Sequence, residues 1–340
     1  VLRQPVGVVA AITPWNFPLW QAVWKLAPAI ATGNAVVIKP AESTPLSTVR
    51  FAELASEILP PGVLNVVNGR GPSVGAALVA HPDVALVSFT GSTRAGREIA
   101  RAAGAGPKPL ILELGGNAPV LVFDDADLDA ALPVLATCVL YNAGQECMAA
   151  TRLLVQEGIR DRFLEGLSAH LAEARIGDAR DPATTLGPLI SAAQRDRVSG
   201  FIERLPSGAE VVAGGRAPAR PGFFYEPTLI AGVGQRDEIV QEEIFGPVAT
   251  VQTFADEAQA IALGNDVAYG LAGSVWTRDV GRALRCVNAL HFGNVWVNTH
   301  MAVGPDVPIG GFRASGYGKE GGQAGSDAFT RLKQVVLSLT

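Results

Sequence analysis

Short, mostly apolar runs alternate with amphipathic stretches through the N-terminal part of the chain. Val6–Ile12, Ala35–Ile38, Val63–Val67, Val84–Phe89 and Leu110–Leu114 predict strands. Leu19–Ala31, Pro45–Ile58, Ser73–Ala80 and Thr93–Ala103 predict the helices between them. Thr44-Pro45 reads as a helix cap with proline at the first helical position, and Ser92 as the cap of the fourth helix. Strands that are apolar on both faces, separated by helices, imply a parallel sheet covered on both sides, a doubly wound pattern of the nucleotide-binding type.

From Pro119 onward the alternation continues with longer connections. Strands are predicted at Val120–Phe123, Leu153–Val155, Glu210–Ala213, Val248–Phe254, Gly273–Trp276 and Gly293–Asn298. Helices are predicted at Leu128–Tyr141, Arg160–Ala174, Ala192–Leu205, Glu257–Asn265 and Val280–Ala289. The pattern divides into residues 1–114, residues 115–313 and a C-terminal return, 314–340, whose Gln334–Leu339 reads as an exposed strand able to pair with another subunit.

A chain of 340 residues suits two domains, and 48% hydrophobic against 17% charged residues supplies their cores. The net charge of -5 gives no case for nucleic acid or an anionic membrane surface. The longest apolar runs, such as Leu132 to Tyr141, are too short to span a bilayer. Cys138, Cys147 and Cys286 are odd in number and widely spaced, and no metal-type Cys or His spacing occurs. No disulfide framework and no metal site is therefore expected, and a reducing, cytoplasmic setting fits. The chain opens at Val1 and shows no signal peptide.

Five places carry candidate chemistry. Gly69-Arg70-Gly71-Pro72-Ser73-Val74-Gly75 follows a strand and opens a helix, so Gly71 and Gly75 could bring backbone close to a nucleotide. The same residues match the G-x-S-x-G elbow of serine hydrolases, with Ser73 as nucleophile. Phe89-Thr90-Gly91-Ser92-Thr93 is a second strand-to-helix junction suited to a pyrophosphate. Cys147 follows Gly144 and polar residues, where a thiolate can be reached and stabilised, whereas Cys138 and Cys286 sit in apolar helical patterns. Glu113 ends an apolar strand before Gly115-Gly116, and burial there raises a carboxylate's pKa toward general-base duty. Asn16, in Pro14-Trp15-Asn16-Phe17-Pro18, offers an amide to an oxyanion or is simply a turn residue.

Taken together, these segments resemble the aldehyde dehydrogenase superfamily. The matching blocks are Pro14-Trp15-Asn16-Phe17-Pro18, Lys39-Pro40-Ala41-Glu42, Phe89-Thr90-Gly91-Ser92, Leu112-Glu113-Leu114-Gly115-Gly116-Asn117, Gly144-Gln145-Glu146-Cys147, Glu242-Glu243-Ile244-Phe245-Gly246-Pro247 and Pro308-Ile309-Gly310-Gly311. They run in the family's order along nearly the whole chain, although the opening part of a typical member has no counterpart. The resemblance implies a doubly wound, Rossmann-like α/β cofactor domain, incomplete at its start, an α/β catalytic domain and an oligomerisation strand.

It also implies roles. Cys147 attacks the aldehyde, Asn16 and the Cys147 backbone N–H hold the oxyanion, and Glu113 activates the water that hydrolyses the thioester. Lys25 matches a lysine near the proton route from that Glu, while Arg331 stands where many members place a glutamate. Lys39 and Glu42 match contacts to the adenosine ribose, Ser92 the pyrophosphate, Glu243 and Phe245 the nicotinamide ribose; Trp15, Gly71, Gly75, Thr90, Gly91 and Leu114 complete the cofactor set. An acidic Glu42 favours NAD over NADP. Asn298-Thr299-His300 and Gly316-Tyr317-Gly318-Lys319-Glu320 look like aminoaldehyde or 4-aminobutyraldehyde dehydrogenases, with Trp24, Glu146, Val303 and Asp306 as candidate channel residues. The implied partners are a small aldehyde and other copies of the chain, as a homodimer or homotetramer. Three other readings stay open: a serine hydrolase on Ser73, a dehydrogenase passing its acyl group to coenzyme A, and an inactive relative.

Overall fold

The structure is a computed structural model that describes residues 1–104 and 106–339, and all elements and contacts below are those of these residues. They form two compact units, one of Val1–Leu114 with the stretch from Val303 to the C-terminus, the other of Gly115–Ala302. The chain thus returns to its first unit at Val303, earlier than the expected 314, because the return segment pairs with strands of the first unit.

The first unit begins with β1 (Leu2–Pro5) and β2 (Val8–Ile12), separated at Gly7, whose φ of +124° lies outside what a side chain tolerates; the strand expected over 6–12 therefore starts two residues later, at Val8. There follow α1 (Pro18–Ala31), β3 (Ala35–Lys39), α2 (Leu46–Ala55), β4 (Leu64–Val66), a π-type turn over Gly71–Gly75 leading into α3 (Ala76–Ala80), β5 (Val84–Thr90), α4 (Thr93–Ala103) and β6 (Leu110–Glu113). The Ser92 hydroxyl caps α4, accepting the Ala95 N–H at 3.3 Å. The cap expected from Thr44 is not made: Pro45, already helical in φ and ψ, is the cap residue of α2, and no side chain bonds there.

In the second unit come β7 (Pro119–Val122), α5 (Leu128–Leu140), β8 (Arg152–Gln156), α6 (Arg160–Ala172), α7 (Ala192–Glu203), β9 (Glu210–Ala213), β10 (Thr228–Ala231), α8 (Glu238–Gln241), β11 (Val248–Phe254), α9 (Glu257–Asn265), β12 (Ala272–Trp276), α10 (Val280–Ala289) and β13 (Asn294–Val297). Among the described residues these strands form one sheet in the order β13-β12-β7-β8-β11-β10-β9, parallel except for β9. Alternate residues enter different cores: Val120 and Val122 pack with α5 and α6, Leu121 and Phe123 with residues of α9 and α10. This is why the strands read as apolar throughout. Strand β10, which was not predicted, sits between β11 and β9.

Arg152, fully buried at the start of β8, donates to the Leu263 and Gly264 carbonyls (2.6 and 3.2 Å) in the last turn of α9. A cation there satisfies carbonyls that the helix leaves open and complements its dipole. Arg152→Met should lower unfolding stability by on the order of 3 kcal/mol, from acceptors left unmade in the interior; a urea midpoint unchanged from wild type would contradict this.

The return carries β14 (Gly316–Tyr317), α11 (Gly322–Ala328) and β15 (Thr330–Lys333). β14 joins β6 antiparallel, closing a first-unit sheet of order β14-β6-β5-β2-β3-β4 whose other pairs are parallel. Val9 and Ala11 face one core, Ala10 and Ile12 the other. β15 pairs with β1, so the C-terminal strand lies at 330–333; residues 334–339, where it was expected, belong to no strand and are exposed.

Candidate active site

In the first unit the strand order reverses between β2 and β5, because β3 and β4 lie to one side and β6 to the other. Such a switch point is where open α/β sheets bind ligands. The bend Trp15-Asn16-Phe17 follows β2 and leads into α1, with Pro18 at its first position; Asn16 is half-buried. Thr90 ends β5, and Gly91 and Ser92 follow, with the Gly91 N–H donating to the Glu113 carbonyl (3.0 Å). Gly96 lets α4 lie against Leu114, whose side chain would collide with any Cβ at that position.

Lys39 ends β3. Its buried ammonium donates to the Pro40 and Gly69 carbonyls (2.8 and 2.9 Å) and lies 3.9 Å from Glu42. The Gly71 N–H donates to Glu42 Oε1 at 2.6 Å, and Gly75 stands 3.7 Å, measured from a hypothetical Cβ, from the Lys39 stem. Burial lowers the Lys39 pKa against the pull of Glu42. For Glu42, burial raises the pKa, but hydrogen bonds from its own backbone and Gly71, with the charges of Lys39 and Arg70, outweigh it and hold the carboxylate ionised. Ser73, in contrast, is exposed and its hydroxyl donates to the Arg70 carbonyl (3.3 Å); no imidazole is among its partners in the described residues. The triad that an elbow serine needs is not assembled.

Glu113 ends β6 and is buried, with Oε1 making no hydrogen bond among the described residues. Gly310 leaves it room: a Cβ there would stand 2.9 Å from Oε1. Burial, then the negative charge of Glu320, push the Glu113 pKa up to about 8, against the opposing charges of Lys25 and Lys319 and the Gly311 N–H. Lys25, fully buried on α1, donates to Thr90 Oγ1 (2.7 Å) and forms an ion pair with Glu320, which also accepts from Ser88 Oγ (3.2 Å). The glutamate beside Lys25 is thus Glu320, two residues after Gly318. Arg331, expected in that neighbourhood, lies exposed on β15 opposite Gln4. The reason is the tight return through Gly316, Gly318, Gly321 and Gly322, all at positive φ, which spacing along the sequence did not reveal.

In the second unit Cys147 follows a turn of three consecutive left-handed residues, Asn142 (φ +50°), Ala143 (+56°) and Gly144 (+69°). Two of them carry side chains, so the turn is strained and must be held by its surroundings. Gly144 abuts the backbone of Gly246 and Pro247, and Gln145 bridges the Asn142 carbonyl (3.0 Å) and the Ile190 N–H (2.9 Å). Cys147, half-buried, packs with Met148 against Ala118, Leu271 and Ala272. Its carbonyl oxygen lies where a Cβ on Gly116 would be, and the Glu243 carboxylate lies where one on Gly115 would be. Gly115-Gly116 is therefore a floor over which the cysteine loop and Glu243 close from two sides. Glu243 Oε1 accepts the Gly116 N–H (2.9 Å), and burial pushes its pKa up to about 7 despite that bond. The next residues are held by Gln194, which donates to the carbonyl of Phe245 (2.8 Å, φ +60°), and by Arg197, which donates to that of Glu243 (2.6 Å).

Cys138 and Cys286 are buried, and burial pushes both thiols up to about 11, so neither is a reactive thiol. His300 is buried behind the cysteine loop, its ring nitrogens meeting the Met148 carbonyl (2.8 Å) and Ser274 Oγ (2.9 Å), and burial lowers its pKa to about 4. Of the channel candidates, Trp24 stacks on Trp20 (centroids 5.5 Å), Val303 is half-buried and Asp306 is an exposed loop residue. Glu146 is buried against its own loop. Sequence reasoning missed the contribution of Glu320 and His300; each was visible only as a polar residue inside a Gly-rich or apolar stretch.

A dinucleotide-type sheet in one unit and a thiol raised on a strained loop in the other fit an α/β oxidoreductase. Residues 1–335 match the model of the aldehyde dehydrogenase family, and the chain belongs to that family. It is similar to betaine aldehyde dehydrogenase of Bacillus subtilis (strain 168), 44% identical over 98% of this chain and 70% of that protein. Phenylacetaldehyde dehydrogenase of Pseudomonas fluorescens is 45% identical over 99% of this chain and 68% of the relative. Among solved structures, betaine aldehyde dehydrogenase from Staphylococcus aureus in complex with NAD+ superposes with a TM-score of 0.95 at 42% identity, over 97% of this chain and 67% of that one.

Proposed function

We propose that the chain oxidises an aldehyde to the carboxylic acid with NAD, through a covalent intermediate on Cys147. The observation that carries this reading is the presentation of Cys147: a half-buried thiol on a left-handed turn, above a glycine floor shared with Glu243. The residues fit a dinucleotide. Lys39, Glu42 and Gly71 form a cradle at the strand ends, Ser92 caps a helix of eleven residues, and Glu243 is a half-buried carboxylate that accepts the Gly116 N–H. NAD-bound relatives support the same choice, and an ionised Glu42 disfavours a 2′-phosphate.

Cys147 adds through sulfur to the aldehyde carbon, and the Asn16 amide with the Cys147 backbone N–H stabilises the oxyanion. NAD, when bound, supplies the hydride acceptor that converts the thiohemiacetal to a thioester. Glu113 then takes a proton from water, which hydrolyses the thioester; Lys25 and Glu320 lie beside Thr90 and Ser88 on the way from that carboxyl. A base in this place favours release of a free acid over transfer to coenzyme A. The serine hydrolase reading has no support from the family or from the surroundings of Ser73.

The reaction needs Cys147 reduced, a state that a compartment such as the cytoplasm maintains. The exposed stretch after β15 supports a homo-oligomeric assembly through strand addition. The finer substrate reading is an aldehyde of the betaine, amino or phenylacetaldehyde type, tested by NADH formation from a panel of those with simple aliphatic aldehydes. No NADH from any of them would overturn the assignment.

A pH dependence follows. Thioester hydrolysis requires Glu113 ionised, and with a pKa near 8 only about one tenth is ionised at pH 7. The hydrolytic step should rise about tenfold per pH unit below 8 and level off above it. A pre-steady-state hydrolysis rate flat between pH 6 and 8 would contradict the role of Glu113.

A further inference from the structure

Resting on that function, we infer that Glu146 is a second catalytic base, which receives the proton of the Cys147 thiol when sulfur attacks the aldehyde. The Cys147 thiol donates to Glu146 Oε1 at 3.3 Å, and the same oxygen accepts the Met148 N–H at 3.1 Å. The carboxylate is turned back around its own loop and is buried, and the Ala149 N–H closes the turn on the Glu146 carbonyl (3.2 Å). On the far side of the loop the Met148 carbonyl accepts from His300 Nε2, whose Nδ1 faces Ser274 Oγ; Trp276 Nε1 in turn donates to that oxygen. Met148 is thus held at both its backbone N–H and its carbonyl, and the sulfur is kept within reach of one carboxylate oxygen.

Other ionisable groups acting on this carboxylate's surroundings are few. Cys138 on α5 and Glu243, after α8, both feel the Glu146 charge. Burial raises the Glu146 pKa, against the bonds from Met148 and Cys147. A carboxylate so raised is better matched to a thiol than a solvated one, and proton transfer is most effective between groups of similar affinity.

The proton balance closes over the cycle. As the S–C bond forms, the S–H bond breaks and its proton passes to Glu146 Oε1, while the carbonyl π electrons become the oxyanion. Loss of hydride to NAD leaves the thioester. Hydrolysis expels the Cys147 thiolate, which takes the proton back from Glu146; one water proton goes to Glu113, which releases it to solvent before the next turnover, and the other leaves with the acid. Two carboxylates therefore divide the work: Glu146 serves addition to the aldehyde, Glu113 serves hydrolysis.

Glu146→Gln isolates the proton from the architecture, because the amide oxygen still accepts the Met148 N–H but cannot hold a thiol proton. Two readouts are to be taken on the full chain. In alkylation of Cys147 by iodoacetamide, without NAD or aldehyde, the variant should match wild type above about pH 9, where the thiol ionises unaided. It should fall about tenfold behind near pH 6.5. In stopped flow with NAD and aldehyde, its first-turnover NADH formation should slow about 10²-fold at pH 7, with thioester hydrolysis unchanged. Glu146→Asp, with the carboxylate one methylene short, should lie between the two. Equal alkylation at every pH, a deficit independent of pH, or an unchanged first turnover overturns the inference. Absence of any NADH from wild type would instead overturn the proposed function, leaving the alkylation profile to judge Glu146 alone.

Discussion

Given NAD and an aldehyde, the Glu113→Gln variant should form one equivalent of NADH per site and then stall, its steady-state rate down by about 10²–10⁴-fold. The wild-type carboxylate is buried at the end of β6 with Oε1 unbonded among the described residues, so its lone pairs are available to water. The burial that raises its pKa also keeps its proton affinity close to working pH. Glutamine keeps the shape and removes the basicity. Addition and hydride loss draw on Cys147 and the cofactor residues, and so proceed once. The stalled species should carry the mass of the acyl group on Cys147, readable in intact-protein mass spectrometry. Steady turnover, or no acyl adduct, would remove Glu113 from its role.

Replacement of the thiol should have the larger effect. Cys147→Ala should lose turnover completely, at least about 10⁴-fold, because no other group in the second unit can form the covalent intermediate. Cys138 and Cys286 are buried with thiols pushed up to about 11 and cannot substitute. Cys147→Ser should be almost as poor, since a hydroxyl gives far less nucleophile at neutral pH than a thiol. NAD affinity, followed by fluorescence titration, should stay near wild type in both, because the cradle of Lys39, Glu42 and Gly71 belongs to the first unit. Dehydrogenase activity persisting in Cys147→Ala would end the covalent mechanism.

Much of the architecture was legible in advance. The predicted strands over 35–38, 84–89, 210–213 and 248–254 and the helices over 93–103, 257–265 and 280–289 agree with the structure to within a residue. Strands β3, β5 and β11 are apolar because both their faces are largely buried, whereas the edge strand β9 is exposed at Glu210 and Val211. Strand β10 was not predicted although it is as long as β9, and the two-residue β14 takes its place from pairing with β6, far away in sequence. Strand β15, over 330–333, was likewise not predicted, because it takes its place from pairing with β1.

For the site, Glu113 and Lys39 could be read as polar residues that end apolar strands, and Cys147, Glu42 and Glu243 from the sequence blocks that contain them. The raised pKa of Glu113 was expected from its strand-end position and is found, whereas that of Glu243 was not foreseen. Sequence determined that a doubly wound sheet would form and which side chains would lie at its C-terminal edge, because local apolar patterning and helix starts act over a few residues. The tertiary structure alone decided that Glu320, and not Arg331, meets Lys25, that Gly115 and Gly116 exist to admit Glu243 and the Cys147 carbonyl, and that Glu146 turns back onto the thiol. Those outcomes depend on burial and on contacts between residues up to 295 apart, where a charge's environment is set by what packs over it and not by its neighbours in the chain.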